Sequence, residues 1–148
     1  IQLAQEAGLE AINTDIYSDE LGDNIELNDI GFILALTASA DINNYAINKF
    51  RNQFGESGYY RLITVEEMND PENNPKEGLF SHTDDFNSLS DVVRNHPKIH
   101  EIELKDKAHY DELIEMSNNN KEIIPLLVKD KHGALEIISS LYNVKFEI

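Results

Sequence analysis

The sequence predicts an α/β protein: a truncated parallel sheet followed by a small α+β subdomain. Three observations carry that prediction. Phe32-Ile33-Leu34-Ala35-Leu36 is an apolar run of strand length without alternation, the pattern of a strand covered on both faces in a mostly parallel sheet. Ile42, Ala46, Phe50 and Phe54 follow at a spacing of four, with Ile47 beside them, which makes one helix face apolar. From residue 1 to residue 64 helical and strand-like stretches alternate, the order of a parallel α/β sheet.

In chain order, residues 1–8 read as the end of a helix. Ile1, Ala4 and Ala7 share a stripe and Gly8 is the stop, but no N-cap stands in front. A helix without its beginning leads us to expect a piece of a longer polypeptide. Residues 9–13 alternate weakly and read as a short strand ending at Thr14-Asp15. Ser18 is placed to cap a short helix over residues 19–22, whose first turn carries Asp19 and Glu20, where the helix dipole favours acids. Leu27 and Ile30 lead into the apolar run, expected to be the central strand. Thr37-Ala38-Ser39-Ala40-Asp41 supplies turn and N-cap side chains, and the long helix is expected to close on Gly55. Residues 58–64 form the next strand.

Residues 69–77 hold two prolines, three asparagines and no apolar side chain, which defines a loop. A short strand over residues 78–82 precedes a helix capped by Thr83, with Asp84 and Asp85 in its first turn. Phe86, Leu89 and Val93 are its expected buried stripe, and Pro97 ends it with Arg94 and His96 near the negative pole. Residues 99–104 are strand-like, with Ile102 and Leu104 in phase. Tyr110, Leu113, Ile114 and Ser117 align on a helix that stops at Asn118-Asn119-Asn120. Residues 123–128 and 134–138 flank Asp130-Lys131-His132-Gly133 as a hairpin, with Gly133 where positive φ is needed. Pro125 implies an edge or a bulge in the first arm, and Val144, Phe146 and Ile148 alternate as a last strand. The expected division is a truncated Rossmann-like domain over residues 1–97 and a small α+β subdomain over residues 98–148.

Charge and composition exclude several functions. The 148 residues carry a formal charge of −16, with 28 acidic against 12 basic side chains. Nucleic-acid binders need a cationic face, and an anionic membrane surface is disfavoured for the same reason. Cysteine is absent, so there is no disulfide framework, thiolate ligand or thiol nucleophile, as suits the cytosol. No apolar run approaches the roughly 20 residues of a membrane span, and no signal peptide is visible, so a soluble piece without membrane insertion is expected.

Candidate chemistry centres on nucleotide binding. A dinucleotide fingerprint needs glycines at the first strand-to-helix turn and an acid after the second strand. The seven glycines are scattered and supply neither. What remains are rim groups: Asp15, Thr37, Ala38 and Asp41. Asp15 is able to accept from an adenine amine and Thr37 to contact a ribose or phosphate. Capping of helices is the competing role for Asp15 and Asp41, and the missing phosphate-holding turn favours it. His96 and His100 have a metal-like interval, but Pro97 between them keeps them off one helical face. Asp84-Asp85 and Asp19-Glu20-Asp23 lack calcium-loop spacing. No G-x-S-x-G turn presents a nucleophile. No enzymatic activity is predicted.

The run from Gly31 to Ile47 (GFILALTASADINNYAI), then Phe54-Gly55 and Tyr60-Arg61-Leu62, resembles the TrkA-N or RCK type of regulatory nucleotide-binding domain. In particular it is similar to the cytosolic tail of bacterial sodium/proton antiporters. Residues 7–15, Ser18-Asp-Glu-Leu21, and the later pattern around Ile124-Pro-Leu-Leu-Val-Lys-Asp-Lys-His-Gly133 also fit, so the resemblance spans most of the chain. It implies that the glycine-rich turn and ribose acid lie upstream, with NAD or an adenine nucleotide bound by the full-length domain and no cofactor held here. Thr14 stands where family members usually carry a glycine before the aspartate matched to Asp15. The implied function is a ligand-sensing domain on the cytoplasmic side of the inner membrane, attached to a membrane transport domain of the same polypeptide. Homodimerisation through an exposed sheet edge is expected. The rivals are a fragment of a Rossmann-type NAD-dependent oxidoreductase and a protein-interaction module.

Overall fold

The structure, a computed structural model, describes residues 1–21, 30–54, 58–70, 72, 75, 77–80 and 85–140. The expectations for Gly22, Asp23, Leu27, Gly55, His82, Thr83, Asp84 and the strand at 144–148 lie outside these residues. The chain forms two compact units, Ile1–Gly31 and Phe32–Ile148.

In the first unit, α1 (Gln2–Glu6) ends as its glycine dictates. Gly8 adopts φ +77°, its N–H donates to the Gln5 carbonyl, and the Leu9 N–H donates to the Ala4 carbonyl. That pair of bonds is the Schellman closure, which satisfies carbonyls that the last turn leaves open. The strand expected at residues 9–13 does not form. Leu9 and Ile12 stand exposed, and alternation makes a strand only where a neighbour completes the ladder. A single 3₁₀ turn, Asp19–Leu21, follows, with the Ser18 hydroxyl accepting from the Glu20 N–H at 3.3 Å and Leu21 buried.

The second unit is α/β. β1 (Ile33–Ala35), β2 (Tyr59–Leu62) and β3 (Gly78–Leu79) make a parallel sheet in the order β1-β2-β3. Ile33 pairs with Tyr59 and Ala35 with Arg61, while Arg61 and Leu62 pair with Gly78 and Leu79. Thus β2, not the apolar run of β1, is the centre of this sheet. The lack of alternation in β1 does not reflect double cover: Ala35 is buried, but Leu34 is 39% exposed.

α2 (Ala40–Phe54) returns the chain from β1 to β2. Its buried face holds Ala46, Ile47 and Phe50, as the spacing requires, together with Asn43. α3 (Val65–Met68), a stretch to which the sequence analysis assigns no element, starts on a capping box. Thr64 Oγ1 accepts from the Glu67 N–H, and the Glu67 carboxylate accepts from the Thr64 N–H.

α4 (Phe86–Asn95) is capped by Asp85, whose carboxylate accepts from the Ser88 N–H at 2.8 Å. Of its expected buried stripe only Leu89 packs on the core, while Phe86 and Val93 are exposed. The strand expected at residues 99–104 is absent; Ile99 is 88% exposed and only Leu104 packs inward.

α5 (Lys107–Asn119) has Asp106 as N-cap and buries Tyr110 and Ser117. β4 (Leu127–Lys129) and β5 (Leu135–Ile137) form the antiparallel hairpin, with Gly133 at φ +86°. Leu62, Leu79, Phe80 and Ile137 form the main core, onto which Tyr60, Leu89, Ile124 and Leu126 pack. Backbone bonds add to this joint: the Ser140 N–H donates to the Gly78 carbonyl at 2.8 Å.

Candidate functional site

Ligands of open parallel sheets sit beyond the carboxyl ends of the strands. Here that place is the turn between β1 and α2, beside the end of β2. Thr37 opens the turn. Its N–H and its hydroxyl both donate to Asn43 Oδ1, at 3.0 and 2.7 Å. The Asn43 amide nitrogen donates back to the Thr37 carbonyl at 2.9 Å and to the Leu62 carbonyl at 3.4 Å. Thr37 Oγ1 accepts from the Ser39 N–H, and Ser39 Oγ accepts from the Ile42 N–H, so Ser39 serves the start of α2. The crest is thereby tied down by side chains of its own sequence, where a phosphate cradle leaves N–H groups for the ligand.

A second network meets the first at β2. Arg61, only 4% exposed, donates from both terminal nitrogens to the two Glu67 carboxylate oxygens, at 3.0 and 2.7 Å. Its Nε reaches Glu77 at 3.3 Å, and Nη1 lies 3.5 Å from the same Leu62 carbonyl that Asn43 approaches. Burial alone pulls the Arg61 pKa down, but the bonds and charges of Glu67 and Glu77 outweigh it and the net shift is upward. For Glu67 burial pushes upward, yet the Arg61 bonds and the Thr64 N–H hold the carboxyl below its usual range. A bidentate guanidinium–carboxylate pair fixes geometry as well as charge. It joins the end of β2 to α3 and to the approach to β3.

Thr37 and Ala38 lie exposed on this turn, and Asp41 lies exposed in the first turn of α2. Asp15 belongs to the other compact unit. Its carboxylate accepts from the Tyr17 N–H at 2.9 Å and its carbonyl accepts from the Ser18 N–H, so it closes a local turn. Asn43 and Arg61 were missed as positional residues. Asn43 was readable, since it shares the face of Ala46, Ile47 and Phe50; Arg61 was not, because its partners come from residues 67 and 77. His96 sits at the end of α4 with Nε2 3.5 Å from Glu122. Among the described residues no three His, Asp or Glu side chains gather as a metal site. Every buried side-chain nitrogen and oxygen among them has a hydrogen-bond partner. No helix among them is long and apolar enough to cross a membrane.

No protein-family model matches this chain, and no match is found among curated proteins or solved structures. The parallel α/β arrangement, Rossmann-like in its β1–α2–β2 unit, is therefore established by the structure itself.

Proposed function

We propose that this chain is a non-catalytic regulatory domain of a monovalent cation/proton antiporter, one that senses a ligand and self-associates on the cytoplasmic side of the membrane. One observation carries the reading. The residues that bear the resemblance, 31–47 and 60–62, take up the strand, crossover helix and parallel strand that such a domain requires.

The test has two parts. Coding sequence joined to that of this chain is expected to encode ten or more apolar spans; a joined catalytic domain overturns the reading. Sedimentation of the purified chain is expected to show dimer or larger species, and a monomer at high concentration removes self-association. In thermal-shift titrations NAD, ATP and AMP are expected to leave the melting temperature unchanged.

A further inference from the structure

We draw no further inference here: the strongest candidate, the outer edge of β1 with the exposed side chains of Phe32, Leu34 and Leu36 along it, is an unpartnered apolar strip, and nothing in the structure shows what covers it.

Discussion

Asn43 Oδ1 accepts both donors of Thr37, the backbone N–H at 3.0 Å and the hydroxyl at 2.7 Å. A side chain only 1% exposed thus fixes the turn that leads from β1 into α2, and through the Leu62 carbonyl it ties that turn to β2. An amide suits the position because it offers an acceptor and two donors from one rigid plane.

Replacing Asn43 tests this tie. Asn43→Ala strands the Thr37 carbonyl and N–H beside a cavity and is expected to cost about 1–3 kcal/mol. Asn43→Asp keeps the acceptor but loses the donor that serves Thr37 and Leu62, and it buries a charge. Its destabilisation is therefore expected to ease as pH falls and the new carboxyl protonates, whereas that of Asn43→Ala is not. Urea unfolding at pH 7 and pH 5 separates the two; identical pH responses would remove the amide's assigned role.

The Arg61 network predicts an unequal pair of substitutions. Glu67→Gln leaves a guanidinium that is 5% exposed with Glu77 as its remaining carboxylate. The expected cost is at or somewhat below the ~3–5 kcal/mol of a broken buried pair. Arg61→Met instead releases two carboxylates whose side chains are 24% and 28% exposed and reach water. The arginine substitution is thus expected to be the milder of the two in denaturant titration, and the reverse order would refute this account.

Which of these features the amino acids announce depends on how local their cause is. α2 and α5 were legible because one turn of helix repeats its own evidence in Ala46, Ile47 and Phe50, or in Tyr110 and Ser117. The hairpin was legible because Gly133 is needed at φ +86° where the chain reverses. Thr64 and Glu67 stood at capping-box spacing, so α3 was readable and was overlooked. Residues 9–13 and 99–104 have strand-like patterns but no partner strand among the described residues, and pairing is a non-local fact. The edge position of β1 and the buried place of Arg61 are non-local in the same way.

Gly133 carries a prediction of its own. The Asp130 carboxylate accepts from the His132 and Ala134 N–H groups, and the Gly133 N–H donates to the Asp130 carbonyl. These bonds hold Gly133 in a left-handed conformation with no neighbouring atom near a would-be Cβ. Strain is then the whole penalty. Gly133→Ala is expected to cost ~1–2 kcal/mol, while Gly133→Asn costs less because asparagine tolerates that region. Equal melting temperatures for wild type and Gly133→Ala would show that the turn does not require it.

Stability should pass through a maximum on the acid side of neutrality, for opposing reasons. Glu67 and Asp85 have folded-state pKa values below their ordinary ones. In each, burial pushes upward but is outweighed, by Arg61 and the Thr64 N–H for Glu67 and by the Ser88 N–H for Asp85. Their stabilisation is complete above the unfolded carboxylate values, about 4, and is lost as pH falls through the lower folded ones. Tyr60 and Tyr110 are shifted the other way, first by burial and then by Glu136 and Asp111. Their contribution is complete below about 10 and is lost as pH rises through the raised values. Between these limits the formal charge of −16 at pH 7 works against compactness, and partial protonation relieves it. The melting temperature is therefore expected to rise from pH 8 toward pH 5 and to drop below about pH 4. Glu67→Gln should flatten the acid limb, since it removes a carboxylate whose proton uptake differs between the two states. A melting temperature that climbs without a break to pH 3 would mean that self-repulsion outweighs the Arg61 and Asp85 contacts throughout.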